Sequence, residues 1–311
     1  MATSPSRSPP NTDRDWTVHA LNIHGSFLER WCRSTLEKLP GWKVVRTNHP
    51  VEFPPPNGPF RGKESSLDIL AEYSIGETIA SLTIECKKNN PNFASWVFFP
   101  KTSTETFSGI GLLKTRATGA NPPRWSTATG LGGIKWPFFV TDEGREVRGT
   151  YHAYSKGDKT KISNAAIVEA CYQVALATQA VFVEEVRFSD ALSRHPTAPM
   201  PYATKVLIPT VITTADLKVC EFDPKDVQSA TGEIAYDRMA LKQVDALVFE
   251  YALPRHLQNQ PADLGSTLVA GALDSFTRMH ILVVHSPVLA GFIKIVEANS
   301  TQFHSMAIPV A

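Results

Sequence analysis

Apolar residues recur at helical spacing over residues 23–39, where Phe27, Leu28, Trp31, Leu36 and Leu39 precede a stop at Pro40 and Gly41. A first helix is expected there. The β-branched stretch 42–47 suits a strand, and Pro50, Pro54, Pro55, Pro56, Gly58 and Pro59 then force an extended loop. Two strand-like runs come next, 66–74 and 78–87, separated by Ile75, Gly76 and Glu77, with glycine where a tight hairpin needs positive φ. Residues 89–160, rich in Gly, Pro, Thr and Trp, are expected to be a long irregular insertion in which Gly130, Leu131, Gly132 and Gly133 form a flexible turn. Residues 161–186 read as a long helix, with Ser163 or Asn164 as N-cap and Ile167, Cys171, Val174, Thr178 and Val181 along one side. Beyond a proline-rich linker at 196–201, strands are expected at 205–213, 217–222, 246–251 and 280–284.

The hairpin carries the chemistry. A two-residue turn at Gly76 and Glu77 sets Asp68 opposite Glu85, Leu67 opposite Cys86 and Ile69 opposite Ile84. Alternation then puts Leu67, Ile69, Ala71 and Tyr73 on one face with Ala80, Leu82, Ile84 and Cys86, and Asp68, Glu85 and Lys87 on the other. Two carboxylates directly opposed repel, and a divalent cation relieves this: Mg²⁺ takes hard oxygen ligands and is held by one or two carboxylates plus substrate phosphates. Lys87 would sit beside that ion, to orient the attacking water or stabilise charge developing on phosphoryl oxygens. The plain alternative is a solvated polar face with a surface ion pair worth little. Helices expected before and after the hairpin weigh against it, because a charged face under cover demands a compensating partner.

Ser66, Leu67, Asp68, Ile69 and Leu70, a hairpin turn, then Ile84, Glu85, Cys86 and Lys87 resemble the D-x(n)-E-x-K signature of the PD-(D/E)XK nuclease superfamily. Gly25, Ser26, Phe27, Leu28 and Glu29 are similar to that family's first motif, a helical glutamate reaching toward the metal. The chain departs from the pattern in having Leu67 where many members have proline. The resemblance implies an α/β restriction-endonuclease-like core of helix, three-strand meander, helix and strand, with a mixed central sheet flanked by helices. It implies metal ligation by Asp68, Glu85, the Cys86 carbonyl and Glu29, assistance by Lys87, and Tyr172 and Gln173 as accessory residues. Mg²⁺, with Mn²⁺ able to substitute, is the implied cofactor of phosphodiester hydrolysis, on DNA rather than RNA, in keeping with defence against foreign DNA. Glu64 and Glu72 are decoys; Glu72 shares the Asp68 face but should lie about 13 Å along the strand.

Composition adds little globally, since 31 basic residues against 30 acidic ones give a net charge of +1. Locally it adds more. Residues 87–161 hold twelve basic residues and five acidic ones, an excess of +7 that leaves −6 for the remainder. Lys88, Lys101, Lys114, Arg116, Arg124 and Lys135 are therefore candidate phosphate contacts. Trp96, Phe98, Phe99, Trp125, Trp136, Tyr151 and Tyr154 are either stacking partners for unpaired bases or the insertion's own core. His24, His49, His280 and His285 are expected to be structural. Four widely spaced cysteines point to a reducing, cytoplasmic compartment, and the apolar runs are too short for a bilayer. The expected organisation is a disordered tail over 1–15 and one nuclease-like domain over 16–311, with 89–160 the insertion and 202–311 a strand-rich part completing the sheet. The alternative function is a silent nuclease-fold module that binds nucleic acid or a partner protein; a metal-dependent hydrolase of other substrates is a third. Homodimerisation is left open.

Overall fold

The computed structural model describes residues 17–18, 20–21, 25–51, 65–76, 78–89, 95–101, 107–117, 124–134, 136–147, 163–193, 204–258 and 277–305. For 107–117 and 124–134 the strands are described without their side chains. The expected N-terminal tail, the proline-rich loop after Val51 and the linker at 196–201 lie outside the described residues. The elements run α1 (Ser26–Glu37), β1 (Trp42–Val51), β2 (Ser65–Ile75), β3 (Thr78–Lys87), β4 (Ser95–Pro100), β5 (Phe107–Ala117), β6 (Arg124–Ile134) and β7 (Val140–Val147). They continue α2 (Ala165–Ser193), β8 (Thr204–Thr213), β9 (Asp216–Phe222), β10 (Met239–Gln243), β11 (Ala246–Ala252), α3 (Arg255–Gln258), β12 (Arg278–His285) and α4 (Leu289–Ser305).

This is an α/β architecture with one mixed sheet in the order β1-β2-β3-β8-β12-β11-β7-β4-β9-β10, helices covering both faces. β1, β2 and β3 form the antiparallel meander, and β8 returns after α2 to lie parallel to the whole length of β3. The other edge of β8 is shared: β5 pairs with its first half and β12 with its second. Strands so enclosed should read as nearly continuous apolar runs. β8 does so, sending Leu207 and Val211 into the core under α2, and Val206, Ile208 and Ile212 into the core under α1 and α4. Trp42 ties the meander to α4, stacking on Tyr73 with centroids 5.4 Å apart and donating its indole N–H to Glu297 at 2.8 Å.

Three expectations need correcting. Residues 89–160 are not irregular throughout, for they contain β4 to β7; β4 and β7 belong to the main sheet, and Trp96 and Phe98 are fully buried in its core. Gly130 to Gly133 is no turn but part of β6, paired with Gly111, Ile110, Gly109 and Ser108 of β5. The C-terminal part is not only strands, since it closes with the 17-residue helix α4 packed under the sheet. Glycine-rich strands and a helix of low amphipathicity both hide from periodicity, because neither leaves a clean apolar stripe. α2 is also longer than expected, and its segment Ala165–Glu185 has the length and hydropathy of a membrane span. That segment is 72% buried inside the protein, as the central core helix.

Candidate functional site

Ile69 pairs with Ile84 and the ladder continues to Ile75 opposite Thr78, in the register expected from the turn at Gly76, whose φ is +57°. That ladder ends at Ile69. One residue on, the Asp68 carboxylate takes over the backbone's role: its Oδ2 accepts the Cys86 N–H at 2.7 Å. Alternation breaks at the same place. Leu67 packs with Leu70 in the core beneath α2, whereas Ile69 and Ala71 pack on the α1 side, so Leu67 does not share the Ile69 face as expected. The β2 backbone thus swings at Asp68, and the carboxylate is held at the swing by a main-chain donor.

β3 has β2 on one edge, β8 on the other and helices on both faces, so its residues are buried almost throughout. Glu85 is only 7% exposed. On the face toward α2, Thr83 meets Thr178 with hydroxyl oxygens 2.5 Å apart, and Lys87 Nζ donates to Glu169 Oε2 at 2.6 Å. On the opposite face the Cys86 thiol is hydrogen-bonded to Cys32 of α1, which with burial raises its pKa well above the ordinary thiol value. Thr214, just past the end of β8, clamps the end of β3: its N–H donates to the Lys87 carbonyl at 3.4 Å, and its Oγ1 accepts the Asn89 N–H at 2.9 Å.

α1 begins at Gly25, whose φ of +84° is left-handed and favours glycine, with no side-chain cap. A Cβ there would sit 3.6 Å from Lys88 Cβ, so the helix starts directly beside the end of β3. Glu29 occupies the first turn, where a carboxylate complements the helix N-terminus. Its charge acts on both Asp68 and Glu85.

The electrostatic consequence is strong. Burial, then the charge of Glu29, raises Asp68 to about 6 despite the Cys86 N–H and Lys87. Burial first, then repulsion from Asp68, Glu29 and Glu169, lifts Glu85 to about 9 against the pull of Lys87. At neutral pH Glu85 therefore keeps its proton while Asp68 is largely ionised, the usual outcome when two carboxylates share one confined site. Such a pair can take up a hard cation in exchange for the proton. Among the described residues no three His, Cys, Asp or Glu side chains stand as a ready-made cage. A magnesium site does not demand one, since that ion keeps several waters.

Asp68 and Glu85 each feel the charges of Glu29 and Lys87, and Lys88 and the Cys86 backbone adjoin them. Glu169 was not anticipated. It lies one helical turn before Gln173, whose buried Oε1 has no hydrogen-bond partner among the described residues. Tyr172 turns away, its hydroxyl 3.2 Å from His256 Nε2. Lys101 is engaged with buried Glu250 at 2.6 Å, which Arg278 also contacts. Lys114, Arg116 and Arg124 lie on the β5–β6 hairpin with side chains not described, and Lys135 is outside the described residues, as are Glu64, His24, Trp125's ring, Tyr151 and Tyr154. Trp96, Phe98 and Trp136 are core residues and not base-stacking surfaces. Glu72 is held by Lys205 at 2.6 Å, His49 by Glu184 at 3.3 Å. Set against known families, curated proteins and solved structures, the chain gives no match.

Proposed function

We propose that this chain is a Mg²⁺-dependent nuclease of the restriction-endonuclease-like class, acting on DNA in preference to RNA, with a role in defence against foreign DNA. The observation that carries the reading is Glu85, buried at one end of a central hairpin, with the half-buried Asp68 carboxylate bonded to the N–H of the next residue, both carboxylates raised in pKa, and Lys87 two residues beyond Glu85. Pure binding has no use for a buried carboxyl held protonated beside an ionised one. The order helix, meander, helix and parallel strand agrees with the same reading.

Asp68 and Glu85, with Glu29 and the Cys86 carbonyl, would hold the ion. The bound cation would supply positive charge at the phosphate and a more acidic water. Glu85 would have to give up its proton for its carboxylate to hold the ion. Asp68 keeps Oδ2 on the Cys86 N–H, which fixes the orientation of Oδ1. Lys87, which donates to Glu169, would stabilise charge developing on the phosphoryl oxygens.

The test is cleavage of supercoiled, linear duplex and single-stranded DNA, and of RNA, with Mg²⁺, Mn²⁺ or EDTA. Cutting that needs metal and is lost in folded Asp68→Ala and Lys87→Ala supports the reading and identifies the substrate. Equal binding of DNA with and without EDTA, and no cutting, would give the alternative of a silent nucleic-acid-binding module.

A further inference from the structure

α1 presents two surfaces. Leu28, Cys32 and Leu36 are buried against the sheet, and Glu29 flanks that stripe at the candidate site. Around the outside of the helix lie Phe27, Arg30 and Trp31, spaced i, i+3 and i+4 and therefore neighbours on one face. Phe27 is 48% and Trp31 44% exposed, and Arg30 is exposed as well. Among the described residues neither ring contacts another ring and Arg30 has no carboxylate partner. A soluble surface seldom sets two large aromatic side chains a turn apart without a use for them.

Resting on the nuclease reading, we infer that Phe27 and Trp31 form a stacking platform for unpaired bases of the substrate strand, with Arg30 meeting its phosphate. Charge complementarity selects this occupant: the arginine sits beside the rings, and Lys88 adjoins the start of the same helix. Proximity supports it too, because the platform is the outer face of the helix that delivers Glu29, and one helix is about 10–12 Å across. A strand leaving the site therefore reaches the rings within a few nucleotides. Indole and phenyl faces accept any base, so the platform selects unpaired over paired nucleic acid without reading sequence. A second copy of the chain fits less well, since two half-exposed rings supply far less than the roughly 800 Å² that each partner of a stable dimer buries.

Full-length wild type, Trp31→Ala, Trp31→Phe and Tyr236→Ala would be titrated in EDTA with a fluorescent oligothymidylate and with a blunt duplex of equal length. Tyr236 is an 83% exposed aromatic outside the platform and controls for the loss of any surface ring. Trp31→Ala should weaken single-strand binding roughly 5- to 150-fold, the span of one lost stacking partner. Its loss on duplex should be at least fivefold smaller, while Trp31→Phe and Tyr236→Ala stay near wild type. Equal losses on both substrates, or none, would overturn the platform while wild-type binding left the nuclease reading standing. A change in sedimentation of free Trp31→Ala would make the face a contact between copies instead. Failure of wild type to bind any polynucleotide removes the functional reading first, and the platform with it.

Discussion

The β2–β3 hairpin carries two charge clusters beneath the same helix, and they differ in how the charge is balanced. Away from the site, Lys205 is 5% exposed at its side chain and contacts Glu72 and Glu185 at 2.6 Å each, with Ser81 donating to Glu72 at 3.3 Å. Two carboxylates face one buried ammonium, and the Ser81 hydroxyl donates to one of them. At the other end, the charges of Asp68, Glu29 and Glu169 all act on buried Glu85, and among the described residues Lys87 is the one cation opposing them. The first cluster is complete as it stands and joins β2, β8 and α2. The second is short of positive charge, and burial makes the shortage costly. Function is better sought where a covered cluster is left unbalanced than where charged residues are merely dense.

The sharpest way to break that contrast is to neutralise each cluster in turn. Asp68→Asn and Lys87→Met should each lower metal-dependent cleavage by about 10²-fold or more, the scale seen when one preorganised electrostatic partner is lost. Glu72→Gln should leave cleavage near wild type. Initial rates on the best DNA substrate, with circular dichroism to verify folding, make the comparison. Equal losses in Glu72→Gln and Asp68→Asn would erase the distinction between the two ends.

The stability ranking should be the reverse. Lys205→Met strands two carboxylates under α2, and breaking a buried ion pair from one side costs about 3–5 kcal/mol. Lys87→Met removes the one neighbouring cation of an already protonated Glu85, and should cost much less in EDTA. Urea unfolding followed by tryptophan fluorescence tests the order. A Lys205→Met protein as stable as wild type would show that cluster to be inert.

Sequence reached the second cluster because the hairpin is local. Residues on either side of one glycine turn set the register, and the observed ladder keeps it from Ile75 and Thr78 as far as Ile69 and Ile84, one residue short of Asp68. Glu29 was reached only through the resemblance of residues 25–29 to the nuclease superfamily's first motif. Beyond that the information is non-local. Nothing within α2 distinguishes Glu169 from other polar residues until β8 returns parallel to β3 and docks the helix over Lys87. Trp96 and Phe98 look like surface aromatics in an irregular region until β7 and β9 are found on either side of β4. The break at Asp68 that carries Leu67 to the other core was equally invisible, because strict alternation is the default for any strand.

The charge shortage also makes a pH prediction. Unfolded Glu85 would lose its proton near 4.5, whereas the folded site holds it to about 9. Through that window the folded protein binds the extra proton, so stability falls as pH rises, by at most about 1.4 kcal/mol per unit for this group. Asp68 adds the same sign between 3.8 and about 6. Melting temperature in EDTA should therefore decline from pH 5 to pH 9, and Glu85→Gln should flatten the decline. Millimolar Mg²⁺ should offset it in wild type and not in the variant. A wild-type slope that matched Glu85→Gln would mean that the two carboxylates do not share a confined site.

The smallest effect expected is at Glu169, and it separates positioning from support. Its side chain is 59% exposed, so solvent screens its bond with Lys87, and an exposed pair of this kind contributes about 0–1 kcal/mol. Glu169→Gln should thus leave the urea midpoint almost unchanged. The same substitution keeps a hydrogen-bond acceptor for Lys87 while removing a charge that repels Glu85, so cleavage should change less than tenfold. Glu169→Ala removes the acceptor as well and frees the Lys87 chain, and its kcat should fall below that of Glu169→Gln with KM little altered. If Gln and Ala are equivalent in kcat, Glu169 only adds negative charge to the site. If Gln alone retains the wild-type rate, the bond that holds Lys87 is what the reaction uses.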